Sequence, residues 1–275
     1  MSRDSNKSKK HEKEQEELGK TSEAILNRMM EDDNPQTVEG KDALDLDTLS
    51  MQRQDRFWNA LKERYQYNTS IKHGQDFLLK HVGTKLSFVI MYADLVGSTN
   101  MSMTLPPDKL VTIIRAFSYE MSSVIKSYDG YVLKYVGDAV IAFFLPGLNK
   151  YLTYDKAVQC GKSMITVVHD GINPILGNDG YPELRIKIGI DEGENVIVQY
   201  GYDNSSQIDI LGYTMNVAAK ITSLTGPNKV SVGENVFKLL HPNTQDQFQE
   251  SLSLHDEWKY LDSDTDLVYK VYTLK

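Results

Sequence analysis

The sequence lacks most of the features that mark a secreted, disulfide-stabilised or membrane-embedded protein. Cys160 is the one cysteine among 275 residues, which excludes an internal disulfide framework and a zinc site built from several thiolates, and which suits a reducing compartment. The apolar run at 139–145 is far shorter than the roughly 20 residues that cross a bilayer. The first residues are too polar for a signal peptide. We therefore expect a cytoplasmic protein with no membrane span, in which Cys160 occupies the core.

Positive charge is also in short supply. The 38 acidic side chains outnumber the 30 basic ones and no basic patch stands out, so we expect no nucleic-acid partner. The six histidines form no pair at metal-binding helical spacing, and the chain contains neither a GxxxxGK[ST] phosphate loop nor a GxGxxG dinucleotide motif. The stretch DSDTD at 262–266 lacks the glycine of an EF-hand calcium loop, because Leu267 occupies that position. What remains is a globular chain whose 40% hydrophobic residues are enough to bury a core.

Composition divides the chain into three parts. Residues 1–48 are polar and hold few large apolar groups, so we expect a flexible tail. Residues 49–82 carry two apolar runs at helical spacing, one around Trp58 and one around Phe77, with a break at 68–74. We interpret this part as a helical N-terminal segment, which together with the tail could bind a regulatory partner. Residues 83–275 have the hydrophobic pattern expected of a folded domain.

The order of elements in this domain predicts an α+β sheet with helices packed on it. A buried strand ends at Asp94, and a long apolar stripe that opens with prolines and ends at Gly130 predicts a helix. A hairpin follows, with its turn at Gly137 and Asp138. The predicted elements are a strand at 86–94, a helix within 105–130, strands at 131–135 and 139–144, a helix at 154–171, strands at 184–191 and 195–201, and a helix at 215–224.

Two carboxylates, Asp94 and Asp138, fall at the ends of strands that we expect to be neighbours. Paired acids repel each other unless a cation lies between them, and such pairs hold the metal ions that act on phosphates. Gly97, Ser98 and Thr99 follow Asp94 at the start of a helix, where free backbone amides could bind phosphate oxygens. The alternative is that both aspartates are solvated turn residues, which are common at strand ends.

Four motifs together resemble the catalytic domain of class III nucleotidyl cyclases, over residues 83–275. They are YADLVGST, LKYVGDAVIAFF, LRIKIGIDEG and IDILGYTMNVAAKITSL. The resemblance implies a ferredoxin-like, polymerase-palm-like βαββαβ fold. It also implies a head-to-tail homodimer with active sites shared between the subunits. At each site two divalent cations, Mg²⁺ or Mn²⁺, would be held by Asp94, Asp138 and the backbone carbonyl of Leu95.

The same resemblance assigns the residues that would recognise the nucleotide. Lys134, four residues before Asp138, matches a lysine that contacts the base in adenine-selective members, and Asp209 matches the acceptor for the exocyclic amine. Asp203 is a second acid near that position. Asn216 matches the asparagine that positions the ribose, although a helix N-cap would also explain it. A lysine donor and an aspartate acceptor complement the edge of adenine, so the sequence predicts ATP as the substrate.

The chain departs from the family pattern at its basic residues. Lys220 stands where most members have an arginine that stabilises the transition state, and a lysine lacks the planar fork of a guanidinium. Lys187 likewise replaces an arginine that contacts phosphate, and Arg185 could share that role. Lys259 is a weaker candidate for the γ-phosphate. The predicted function is adenylate cyclase, which converts ATP to 3′,5′-cyclic AMP and pyrophosphate. The alternative is a catalytically weak or inactive cyclase-like domain that binds nucleotide and regulates a partner.

Overall fold

The computed structural model describes residues 70–147, 150–178, 180–201, 207–252, 255–262 and 265–275. The predicted tail at 1–48, and the predicted helical segment as far as residue 69, lie outside the described residues. The described chain opens with helix α1 (Ser70–Lys80), which buries Phe77 and Leu78. Because α1 already includes Gly74, the break predicted at 68–74 is wrong from Ser70 onward.

Eight strands of the described chain form a single mixed sheet. Their bounds are β1 (Lys85–Leu95), β2 (Tyr131–Val136), β3 (Ala139–Phe144), β4 (Ile186–Tyr200), β5 (Gln207–Leu211), β6 (Lys229–Gly233), β7 (Phe248–Glu250) and β8 (Val271–Leu274). The order across the sheet is β2-β3-β1-β4-β6-β8-β7, and β5 pairs with β4. Strand β1 is antiparallel to both β3 and β4, and its register sets Asp94 opposite Lys187.

Helices cover both faces of this sheet. They are α2 (Ser98–Thr104), α3 (Pro107–Ser127), α4 (Lys150–Thr166), α5 (Asn173–Asn178), α6 (Tyr213–Leu224), α7 (Glu234–Leu239) and α8 (Pro242–Gln245). A π-helical turn, Val167–Ile172, joins α4 to α5, so the helix predicted at 154–171 changes its winding before it ends. The α+β architecture predicted from the element order is confirmed.

The core lies between the sheet, α3 and α4. Met91 and Ala93 of β1, with Phe117 of α3 and Met164 of α4, are completely buried there. Cys160 belongs to the same core, and its burial raises the pKa of the thiol, as expected for a cysteine with a packing role. No helix in the described ranges is long and apolar enough to cross a membrane.

The opposite face of the sheet receives α6, the helix that carries two predicted site residues. A Cβ atom on Gly189 would lie 2.3 Å from Thr222 Oγ1, and one on Gly193 would lie 2.4 Å from Thr214 Oγ1. Glycine at these two positions therefore allows α6 to lie directly on β4.

Strand β4 corrects one prediction. The sequence predicts two strands, at 184–191 and 195–201, but β4 runs unbroken through 192–194. Those residues stay in register with β1, where Gly193 pairs with Phe88 and Glu194 with Ser87. These polar residues interrupt the apolar pattern without turning the chain, because they remain paired with β1.

Candidate active site

Asp94 and Asp138 lie on neighbouring strands, at one end of the sheet. Asp94 is the penultimate residue of β1, and Asp138 follows Gly137 in the turn between β2 and β3, where Gly137 has a positive φ of 62°. Burial raises the pKa of the Asp94 carboxyl, and the negative charge of Asp138 raises it further. The predicted convergence of the two carboxylates is therefore present in the fold.

This pair fits a bound cation. Asp138 Oδ2 is buried and accepts no hydrogen bond from the described part of the chain, although a buried carboxylate oxygen is costly without a partner. Repulsion between the two acids would be relieved by a divalent ion, for which carboxylate oxygens are preferred ligands. The described residues contain no cluster of three or more His, Cys, Asp or Glu side chains that could hold a metal ion. The remaining ligands would therefore be backbone carbonyls such as that of Leu95, water or substrate oxygens.

Lys187 completes the charge pattern of this cluster. Its Nζ lies 3.3 Å from Asp94 Oδ2, and it lowers the pKa of that carboxyl against the effects of burial and Asp138. Arg185 immediately precedes β4 and is exposed. The family resemblance suggests both side chains for phosphate binding, and the structure brings Lys187 into contact with Asp94.

The predicted phosphate loop directly follows β1. Gly97 has a positive φ of 78° and precedes α2, which begins at Ser98. Ser98 is half-buried and Thr99 is exposed. The first N–H groups of a helix have no partner within it, so this turn offers donors close to Asp94.

A second cluster contains the residues predicted to read the base. Lys134 of β2 donates a hydrogen bond to Asp209 Oδ2 of β5, in a partly exposed ion pair. The backbone N–H of Ile210 donates to the other carboxylate oxygen, Oδ1, at 2.9 Å. The predicted donor and acceptor for the base are thus adjacent, although 75 residues separate them in sequence. Asp203, the alternative acid, lies outside the described residues.

Helix α6 carries Asn216 and Lys220 one turn apart. Asn216 is exposed and lies inside the first turn, since the helix begins at Tyr213; the N-cap position belongs to Gly212, so the N-cap alternative is wrong. Lys220 Nζ lies 3.1 Å from Glu257 Oε2 and, through this hydrogen bond and its charge, lowers the pKa of Glu257. Lys259 is exposed on the same loop as Glu257.

Three residues of this region were missed by sequence reasoning. Tyr92 is half-buried two residues before Asp94, and its pKa is raised by burial and by the charge of Asp209, so it lies between the two clusters. The alternation of side chains along a strand could have identified it, because it shares a face with Asp94. Gln75 and Glu257 reach the site from distant segments, and no local pattern marks them.

The fold is that of a nucleotidyl cyclase catalytic domain. The family described as "Adenylate and Guanylate cyclase catalytic domain" matches residues 83–258, so the chain belongs to the class III nucleotidyl cyclases. The solved adenylyl cyclase CyaB from P. aeruginosa has the same fold, with a TM-score of 0.59, 20% identity, and coverage of 70% of this chain and 95% of that one.

The curated relatives carry the names of different substrates. A cytidylate cyclase of Escherichia coli is 25% identical over 199 residues, which cover 68% of this chain and 43% of that protein. A uridylate cyclase of Burkholderia cepacia is 29% identical over 175 residues, covering 62% and 75% of the two chains. Further matches are named adenylate and guanylate cyclases. The chain spans less than half the length of the first of these relatives, and their names do not agree on one base.

Proposed function

We propose that this chain converts ATP to 3′,5′-cyclic AMP and pyrophosphate. The observation that carries the choice of base is the adjacency of Lys134 and Asp209. Adenine presents a ring-nitrogen acceptor beside an exocyclic amine donor, and a lysine and an aspartate complement that order. Guanine presents the reverse order, a ring N–H donor beside a carbonyl acceptor. Its donor would face the lysine donor, and its carbonyl would face the aspartate carboxylate.

The hydrogen-bond pattern separates amino bases from oxo bases, but it does not separate purines from pyrimidines. Cytosine offers the same acceptor and donor order as adenine, whereas uracil offers the order of guanine. CTP is therefore the second candidate substrate, favoured by the similarity to a cytidylate cyclase. The size of the base pocket would decide between ATP and CTP.

The reaction is an in-line attack of the ribose 3′-hydroxyl on the α-phosphorus, with pyrophosphate as the leaving group. Asp94, Asp138 and the carbonyl of Leu95 would hold two divalent cations, Mg²⁺ or Mn²⁺. When bound, these cations would lower the pKa of the attacking hydroxyl and neutralise charge on the phosphates. Asn216 would orient the ribose, and Lys220 would stabilise the charge that develops at phosphorus.

The phosphates themselves would be held by groups around the end of β1. Lys187 and Arg185 supply positive charge, and the amides of Gly97, Ser98 and Thr99 supply neutral donors. We place this set, with Asp94 and Asp138, in one subunit of a homodimer. The base-reading pair, Asn216 and Lys220 come from the other subunit, so that each site needs both chains. In this arrangement Lys134 and Asp138, four residues apart, serve different sites.

The experiment lets the four nucleoside triphosphates compete for the same sample of enzyme. The full chain is incubated with equal concentrations of ATP, CTP, GTP and UTP, with Mg²⁺ or Mn²⁺, and the cyclic products are separated and identified by mass spectrometry. We expect cyclic AMP to dominate. An excess of cyclic CMP would mean that CTP, the second candidate, is the substrate. An excess of cyclic GMP or cyclic UMP would refute the assigned role of Lys134 and Asp209. Binding of ATP without any cyclic product would favour the regulatory nucleotide-binding domain.

A further inference from the structure

Gln75 connects the two strands that carry the base-reading pair. It is half-buried on α1, and its side-chain Nε2 donates to Leu133 O and to Ile208 O, each at 3.3 Å. Leu133 immediately precedes Lys134 on β2, and Ile208 immediately precedes Asp209 on β5. One amide group therefore holds the backbone next to both members of the pair.

The helix that carries Gln75 is held firmly against the sheet. A Cβ atom on Gly74 would lie 3.2 Å from Val132 O, so glycine allows α1 to approach β2 closely. Phe77, one turn along, is buried and stacks on the ring of Tyr131. Beyond the helix, the N–H of Gly83 donates to a carbonyl of β4 at 2.8 Å. Gln75 therefore bridges β2 and β5 from a helix that is itself packed firmly on the sheet.

The sheet does not pair the strands of Lys134 and Asp209 directly. In the described chain β2 pairs with β3, and β5 pairs with β4, so no backbone ladder joins the two strands to each other. The ion pair and Gln75 both join β2 to β5 without passing through the intervening strands. When a base binds between the two side chains, each exchanges its partner for the edge of the base, and the ion pair no longer holds the strands. The hydrogen bonds of Gln75 remain.

We propose that Gln75 is a positioning residue that sets the selectivity for the base, by keeping Lys134 and Asp209 at the spacing that an amino base requires. This inference rests on the proposed function of that pair. A base contact is effective only within a narrow range of distance and angle, so a small relaxation of β5 lowers the preference for ATP. Binding of the triphosphate and the chemistry at phosphorus use other residues and are affected less.

The test compares two half-buried glutamines, each of which donates through Nε2 to the backbone. Gln75→Met keeps the length and packing of the side chain and removes its amide, and Gln75→Ala removes both. Gln245→Met is the matched control, since Gln245 is also half-buried and donates through Nε2 to a backbone carbonyl, that of Phe237 at 2.8 Å, away from the base-reading pair. For each variant, kcat/KM is measured with ATP and with GTP.

Both Gln75 variants should lower the ATP-to-GTP ratio of kcat/KM by about threefold to tenfold, the size expected from losing one or two net hydrogen bonds. The loss should fall mainly on the KM for ATP, and Gln245→Met should leave the ratio unchanged. An unchanged ratio in Gln75→Met, or an equal fall in Gln245→Met, would overturn the proposal. Dissociation constants for ATP and GTP are also measured by calorimetry, with Ca²⁺ in place of Mg²⁺ or Mn²⁺. They give the preference for ATP over GTP in binding alone, without turnover. If the wild type binds ATP more tightly than GTP but makes no cyclic product, the proposed function fails. The ratio of the two dissociation constants, compared between wild type and Gln75→Met, still tests the role of Gln75. A wild type without any preference overturns both.

Discussion

Asp191 makes the stability of the fold dependent on pH. It is 3% exposed in the middle of β4, beneath α6, and Tyr269 Oη donates to its Oδ1 at 2.7 Å. Burial raises the pKa of this carboxyl from 3.8 to about 7, although the hydrogen bond from Tyr269 favours the charged form. We predict that replacing Asp191 with Asn removes the contribution of this carboxyl to the pH dependence of stability between pH 5 and pH 8.

The sign follows from the two pKa values. A carboxyl with a higher pKa in the folded state binds more protons there, so its contribution is favourable at low pH and is lost as the pH rises through about 7. At pH 5 the unfolded group is already mostly charged, while the folded group is still neutral. From pH 5 to pH 8 the wild type should therefore lose about 3 kcal/mol of unfolding free energy through this group, because each pKa unit is worth about 1.4 kcal/mol.

The assay is urea unfolding of wild type and Asp191→Asn at pH 5, 6, 7 and 8, followed by near-ultraviolet circular dichroism. The quantity compared is the difference in unfolding free energy between the two proteins at each pH. Asp76→Asn, on the exposed side of α1, is the control for the loss of one carboxylate. A difference that stays constant from pH 5 to pH 8 would refute the reasoning, since it would mean that Asp191 keeps one charge state throughout.

Three further predictions concern catalysis. Asp94→Ala and Asp138→Ala should each abolish cyclic product while the circular dichroism spectrum stays unchanged, and turnover in either would exclude the paired-carboxylate site. Mixing inactive Asp138→Ala with inactive Lys220→Ala should restore about a quarter of wild-type activity, because half of the dimers are hybrids and each hybrid has one intact site. Subunits that exchange but stay inactive would contradict the shared site. Lys220→Ala should lower kcat by about a hundredfold to a thousandfold, whereas Lys220→Arg should be at least as fast as wild type; a wild-type rate in Lys220→Ala would move the transition-state charge to Arg185 or Lys187.

Short-range patterns were enough to predict the elements around Asp94 and Asp138. A continuous apolar run ending in an acid defines β1, and a glycine between two apolar runs defines the turn before Asp138. The stripe of apolar residues that follows two prolines predicts α3, which occupies Pro107–Ser127 within the predicted stretch. These features depend on neighbours within a few positions, so the sequence contains all the information that they need.

Contacts between distant segments were not predictable in this way. Gln75 bonds to carbonyls 58 and 133 residues away, and Lys220 meets a carboxylate 37 residues away. Nothing near Gln75 distinguishes it from any other polar residue on an amphipathic helix. The unbroken course of β4 was missed for the same reason, because its polar interruption at 192–194 is held in the strand by pairing with β1, a distant segment of the chain.

Three lysines of the candidate site already have charged partners in the chain. The pairs are Lys134 with Asp209, Lys187 with Asp94, and Lys220 with Glu257. A nucleotide that takes over one of these lysines gains only the difference between the new pairing and the old one, which is small unless the geometry is better. Asp138 differs, because its buried Oδ2 accepts no hydrogen bond from the described residues, so a cation that binds this oxygen breaks no hydrogen bond to it, although at Asp94 the cation competes with Lys187. We therefore expect most of the affinity for a metal–triphosphate complex to arise at Asp138, and the discrimination between nucleotides to arise at the lysines, where a poorly matched ligand cannot compensate for the pair that it breaks.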